Sequence, residues 1–319
     1  MQQALNGRSI ASCVDIYYSP AQQRGKEKEE LASGFMNDCF TIIEHYKCEG
    51  KKLDDFSLKK ALSFDERRSA KLVYDICLQI VMLMDKEGLR DYTDQLVDTI
   101  RLFNAHPEIV SRYSHVLVDE YQDINSLQEQ LIDHLKPENL FCVGDPRQSI
   151  FGWRGSHVKY ILDFEKKYAG CEIITLVKNY RSSKDIVGLI NFTIKQMKLP
   201  DLESGTEDLG SVVLTECDDE ASEHGYIAKN VLSSTLPRHE IFVLARTNRQ
   251  LKELASHLAL LKIGHVLRDE RNERALDENK IVLSTIHAIK GMEAQLVFVI
   301  GCTGQYFPCK ASDHPIVDI

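Results

Sequence analysis

The chain has 319 residues, 43% of them hydrophobic and 27% charged, ordinary proportions for a globular protein with room for two or three domains. A net charge of −9 argues against binding nucleic acid by bulk electrostatics, although a local basic groove stays compatible with it. No apolar run approaches the roughly 20 residues of a membrane span, the N-terminus lacks the apolar core of a signal peptide, and nine scattered cysteines without a CxxC pair read as reduced thiols of a cytosolic protein.

Residues 1–112 read as helical. KEKEELASGFMNDCFTIIEHYK carries Leu31, Phe35, Phe40, Ile42 and Ile43 at loosely helical spacing. RRSAKLVYDICLQIVMLMDKEG is a longer amphipathic run with Gly88 as its stop. The charge runs at 26–30 and 65–68 read as solvated helix faces.

The texture then changes. Short apolar stretches at 115–118, 140–144, 172–177, 211–216, 241–245, 280–285 and 295–301 alternate with helical patterns such as SLQEQLIDHL, KDIVGLINFTIKQM and NRQLKELASHLALL. This alternation predicts a parallel sheet covered by helices, with ligands at the carboxyl ends of the strands.

Four clusters lie at such ends. In HVLVDEYQD, Asp119 can hold Mg²⁺ on nucleotide phosphates and Glu120 can activate water, or the pair simply opens a loop whose helix is capped near Asn125 and Ser126. VGDPRQSIFGWRG (143–155) combines Gln148, Arg147 and Arg154 with the only tryptophan, Trp153, which fits a nucleobase platform or a core position. In LVKNYRSSKDI, Tyr180 and Arg181 sit at a strand-to-helix junction with Ser182 or Ser183 as cap, and Arg181 is either a phosphate-reaching cation or a surface arginine. In LSTIHAIKGMEAQ, Thr285 and His287 open a turn and Lys290, Gly291 and Glu293 follow; a lone histidine there is phosphate-directed or structural.

Taken in order, DEYQD, GDPRQSIFGWRG, KNYRSS and TIHAIKGME resemble motifs II, III, IV and V of the UvrD/Rep family of superfamily 1 DNA helicases. ARTNRQ (245–250) resembles the motif between IV and V, and LRDYTDQLVDTI (89–100) the segment before motif II. The resemblance spans about residues 89–309. It implies an α/β fold of RecA-like P-loop NTPase helicase domains that uses ATP and Mg²⁺ to step 3′→5′ on single-stranded DNA and to open duplex junctions. By the same resemblance, Asp119 binds Mg²⁺, Glu120 is the base for hydrolysis, and Gln148 senses the γ-phosphate. Tyr180 stacks near adenine, Arg181 is an arginine finger, and Glu293, with Gly291 beside it, lies near the ribose. Trp153 stacks on DNA bases with Arg154 holding its loop, while Thr247, Asn248, Thr285 and His287 contact DNA. The implied organisation is a helical segment over 1–88, a partial first RecA-like domain over 89–180, and a better-formed second one over 181–319.

The chain also departs from the family's pattern. No GxxxxGK[ST] phosphate loop occurs; Gly25–Lys26 is followed by Glu27. The adenine-reading segment and motif VI are missing too, so the expectation is the middle of a helicase that hydrolyses ATP very poorly by itself. A non-catalytic homologue that binds DNA or protein is the alternative, and an ATPase with an unrecognised phosphate site the third. Only residues 251–284 separate the last two motifs, enough for one α/β unit rather than a large accessory subdomain. Strands 115–118 and 140–144 are then expected to expose edges and apolar faces, unless the N-terminal helices or another polypeptide supplying the phosphate-loop segment cover them, with poor solubility as the remaining outcome.

Overall fold

A computed structural model describes residues 5, 7–51, 53, 63–152, 155–268, 277–304 and 306–307. The chain forms two compact units, residues 1–172 and 173–310. Tyr180 and Arg181 therefore belong to the same unit, whereas the expectation divides them.

The first unit begins with α1 (Ile10–Tyr17), a single turn α2 (Pro20–Gln23), α3 (Lys28–Cys48), α4 (Phe64–Glu87) and α5 (Tyr92–Ala105). Capping sets their limits. Ser63 and Glu66 close a reciprocal capping box before α4, and Gly88 ends it with φ 66°, as the sequence predicts. Helices α1, α3 and α4 share a core in which Tyr17, Phe35, Cys39, Val73, Ile76 and Cys77 are buried. The helical period puts Cys39 inside and turns its neighbour Phe40, expected among the inward positions, to the surface at 49% exposure. Lys47 near the end of α3 reaches Asp91 (2.8 Å) and Asp94 (2.5 Å) in the capping box of α5.

Strand β1 (His115–Val118) leads through a loop to α6 (Ser126–Leu135) and back to β2 (Asn139–Cys142). The two strands pair in parallel, Val116 opposite Leu140 and Val118 opposite Cys142. Asn125 caps α6 in a box with Gln128. One sheet face packs Val118, Leu140 and Cys142 against Tyr121, Ile124, Ile132 and Phe164. The other is bare: Leu117 is 74% and Phe141 58% exposed. The expected open apolar face is thus present. Two single turns follow, α7 (Lys159–Leu162) and α8 (Phe164–Lys167).

Residues 172–177, at the start of the second unit, and 211–216 within it do not form the expected strands. Ile174, Leu176, Val213 and Leu214 are each more than 70% exposed. An apolar extended stretch becomes a strand only where a neighbour takes its hydrogen bonds and buries its side chains. Here pairing is confined to two residues each of β3 (Lys178–Asn179) and β4 (Glu203–Ser204), flanking α9 (Lys184–Thr193). Ser183 stands at the N-cap of α9 without a side-chain cap bond.

The main sheet is as expected in kind. Helix α10 (Glu220–Ser233), β5 (Ile241–Ala245), α11 (Asn248–Leu260), β6 (His265–Arg268), β7 (Ile281–Thr285) and β8 (Leu296–Val299) build a four-stranded parallel sheet in the order β6-β7-β5-β8. The central strands β5 and β7 are buried on both faces, which is why IFVLA and IVLST read as continuous apolar runs. Helices α10 and α11 cover one face through Ile227, Val231, Leu251, Leu254 and Leu258. Ile289 and Met292 cover part of the other, packing with Phe242, Val282 and Val266. Strand β6 completes the α/β unit predicted for 251–284, of which 269–276 lie outside the described residues.

Candidate functional site: strand ends in two units

The acidic pair stands where β1 stops. Asp119 Oδ1 accepts the backbone N–H of Glu120 at 2.8 Å, and both side chains are exposed. Glu120 adopts a left-handed backbone, φ 51° and ψ 39°, an unfavourable region for a residue with a Cβ. Its position is held from beneath. Gln122 is fully buried and its Nε2 donates to Glu120 Oε2 (2.5 Å) and to Asp123 Oδ2 (3.2 Å). The same side chain accepts the Asp145 N–H through Oε1 (3.0 Å), and its backbone carbonyl accepts the Ser149 hydroxyl (3.1 Å).

Those last two bonds bring in the loop after β2. Asp145 caps its turn by accepting the Arg147 N–H (3.0 Å), and Arg147 Nη1 approaches the same oxygen at 3.4 Å. Gln148, exposed, donates from Nε2 to Asp145 Oδ2 at 3.1 Å. Asp119, Glu120 and Gln148 thus lie on adjacent loops at the carboxyl end of one parallel pair, joined through Gln122 and Asp145. Gly144 permits the approach, since a Cβ there would stand 2.5 Å from Gln122 Oε1 and 2.8 Å from Ile161 Cδ1. Trp153 and Arg154 lie outside the described residues. Beyond them, Gly155 has φ 78° and would place a Cβ 3.0 Å from that of Cys48, and His157 Nε2 meets Glu49 Oε1 at 3.0 Å. The His157–Glu49 bond fastens the loop to the end of α3, and the glycine at 155 leaves room for Cys48 there.

In the second unit, Tyr180 is 72% exposed and lies against Gly205, where a Cβ would stand 2.7 Å from its ring, with Lys178 Nζ 5.3 Å from the ring centre. The Asn179 side chain accepts the N–H groups of Arg181 (3.0 Å) and Ser182 (2.8 Å), which shapes the turn. Arg181 Nε pairs with Glu293 Oε2 at 2.7 Å. The turn carrying Glu293 needs Gly291, at φ 87°.

The ends of β5 and β7 are neighbours in register, Ala245 opposite Thr285. Arg246 Nη1 lies 2.8 Å from His287 Nε2. Thr247 caps α11 in a box with Gln250, so its hydroxyl already has a structural partner at 3.0 Å. Thr285 Oγ1 accepts the Ala288 N–H at 3.2 Å. Asn248 opens α11 and is exposed. Gln250 is buried, and Gly301, at φ 65°, would place a Cβ 2.0 Å from its Nε2.

Two residues that sequence reasoning passed over emerge as partners of expected ones: Gln122 and Arg246. Arg246 lies inside ARTNRQ and was legible as a cation at a strand end. Nothing in DEYQD marks Gln122 as the buried member, because only the return of β2 places Asp145 over it.

No group of three or more His, Cys, Asp or Glu side chains arranged to hold a metal occurs among the described residues. A Mg²⁺ ion at Asp119 would need phosphate oxygens and water to complete its oxygen shell, which suits an ion arriving with a nucleotide. No described helix is long and apolar enough to cross a membrane.

Two family models match the chain. The UvrD/REP helicase N-terminal domain covers residues 14–169 and the UvrD-like helicase C-terminal domain covers 174–272. A probable DNA helicase II homolog of Mycoplasma capricolum is 36% identical over 190 residues, 56% of this chain and 26% of that protein. The ATP-dependent DNA helicase PcrA of Bacillus subtilis is 33% identical over 207 residues, 61% of this chain and 28% of that protein. A probable DNA helicase II homolog of Rickettsia felis is 35% identical over 203 residues, 60% of this chain and 30% of that protein. The chain spans between a quarter and a third of the length of these relatives.

Proposed function

Because the chain belongs to the UvrD/Rep helicase family, we propose that it is the part of an ATP-dependent 3′→5′ DNA translocase that carries the acidic loop, the γ-phosphate glutamine and much of the DNA-contacting surface. The observation that carries this reading is the joined pair of loops after β1 and β2. There, Asp119 and Glu120 stand in solvent with Gln148 nearby on the same hydrogen-bond network.

In this reading Asp119 holds the Mg²⁺ that accompanies ATP, an ion that neutralises phosphate charge when bound. Glu120 takes a proton from the attacking water. Gln148 donates to the γ-phosphate, and Arg181 brings positive charge to it. Tyr180 offers an exposed ring to the adenine, and Glu293 a carboxylate to the ribose beside Gly291. Trp153 and Arg154 contact single-stranded DNA, as do Thr247, Asn248, Thr285 and His287. The Arg246–His287 pair adds a cation there, and the Thr247 and Thr285 hydroxyls also hold the local turns that present these residues.

No GxxxxGK[ST] stretch occurs among these residues. That motif supplies the backbone N–H cradle, a lysine for the β- and γ-phosphates, and a hydroxyl for Mg²⁺. The chain on its own is therefore proposed to hydrolyse ATP poorly, with a polypeptide carrying the phosphate loop as complement. The test is ATP turnover by the purified chain, with and without single-stranded DNA, against Glu120→Gln. Little turnover, restored by a phosphate-loop segment added in trans and lost again in Glu120→Gln, is expected. Robust turnover by the chain alone, abolished in that variant, overturns the proposed deficiency. DNA binding with no restoration by any phosphate-loop segment favours a non-catalytic binding module.

A further inference from the structure

We propose that Gln122 is a positioning residue that sets the Glu120 carboxylate and mechanically joins it to the loop bearing Gln148. This rests on reading Glu120 as the base. The side-chain amide is buried beneath the site and makes three bonds in three directions: to Glu120, to Asp123, and from the Asp145 N–H. Asp145 in turn accepts from Gln148. A rotation of the Gln122 amide would therefore change the partners of both loops together.

The chemistry selects glutamine here. Two donors face two carboxylates, and one acceptor faces a backbone N–H. Glutamate would present acceptors only and would place a third negative charge among the acids. Leucine would fill the space and satisfy none of the three. The bond to Glu120 also bears on strain, since a carboxylate anchored to a buried amide helps hold the left-handed backbone at that residue. Gly144 belongs to the same device, because its missing side chain leaves the room that Gln122 Oε1 occupies.

The test is NMR on the full chain without nucleotide, so that its outcome does not depend on whether ATP binds. Backbone amide exchange and the side-chain carboxyl ¹³C signal of Glu120 are followed in the wild type, Gln122→Leu, Gln122→Glu and Gly144→Ala. In Gln122→Leu the Asp145 amide should exchange about tenfold faster and the Glu120 signal should move, because a buried donor loses its acceptor and the carboxylate its donor. In Gln122→Glu the Asp145 amide should regain protection while the Glu120 signal stays displaced. Gly144→Ala, with Gln122 intact but pushed aside, should move both reporters. The proposal is overturned if Gln122→Leu leaves both unchanged, if Glu and Leu at this position behave alike, or if all variants loosen the α1–α3–α4 core equally. If Gln122→Leu does not fold, Gly144→Ala decides: both reporters at wild-type values would sink the idea.

Discussion

The guanidinium of Arg181 and the carboxylate of Glu293 meet at 2.7 Å, joining the turn before α9 to the turn after β7. Both were expected at a nucleotide, one at its phosphate and one at its ribose. Their side chains are 67% and 68% exposed, so water screens the pair. Arg181→Ala and Glu293→Ala should each change unfolding stability by less than about 1 kcal/mol. A loss above about 2 kcal/mol in chemical denaturation would make the pair structural and weaken its assignment to a ligand.

Gly301 has the tightest surroundings of the glycines beside the second unit's strand ends. Its φ is 65°, and a Cβ would fall 2.0 Å from Gln250 Nε2, the side chain that completes the cap of α11. Gly301→Ala should destabilise by about 2 kcal/mol or more, combining backbone strain with a displaced buried amide. Thermal and denaturant unfolding check this, and a neutral result would show that the cap is dispensable.

The sheets predict opposite outcomes for one substitution. Leu283 in β7 is fully buried, and Leu283→Ala should cost about 2–5 kcal/mol. Leu117 on β1 is 74% exposed on the bare face, and Leu117→Ala should cost little. Replacing Leu117 or Phe141 with a charged residue should raise solubility, since an open apolar sheet face with free edges favours association. Sedimentation of the variants against the wild type measures it.

The attachment of α3 to its surroundings should weaken in acid. The hydrogen bond from His157 is the largest influence on Glu49 and holds its carboxyl below the ordinary glutamate range. Burial pushes Asp91 upward, but Lys47 and the Asp94 backbone amide outweigh it and leave it lowered. A carboxyl lowered on folding contributes stability that is present above its unfolded value, about 4, and is lost as pH falls through the folded value. Denaturant midpoints should therefore drop on acidification below about pH 4, and Asp91→Asn together with Glu49→Gln should flatten that limb. An unchanged limb in the double variant would remove these two groups as its cause.

Local patterns carry a long way in this chain. The alternation of apolar runs with helical segments was sufficient to read a parallel sheet, because strands buried on both faces, such as Ile241–Ala245 and Ile281–Thr285, need uninterrupted apolar side chains. The stop at Gly88, the cap at Asn125 and the motif residues at strand ends were legible for the same reason: each is decided by the chemistry of a few neighbouring positions.

Partnership across the chain was not legible. The stretches 172–177 and 211–216 are as apolar as true strands, yet they have no ladder, since a strand requires a second segment to take its hydrogen bonds. Cys39 rather than Phe40 faces the core because α4 packs on that side of α3. The amino-acid sequence by itself determined the family, the class of fold and the acids at Asp119 and Glu120. Only the tertiary structure decided that Gln122 lies beneath them, that Arg246 meets His287 and that Arg181 meets Glu293. Each of these depends on where a distant segment returns, and that return is governed by the burial of whole sheet faces rather than by the residues that finally touch.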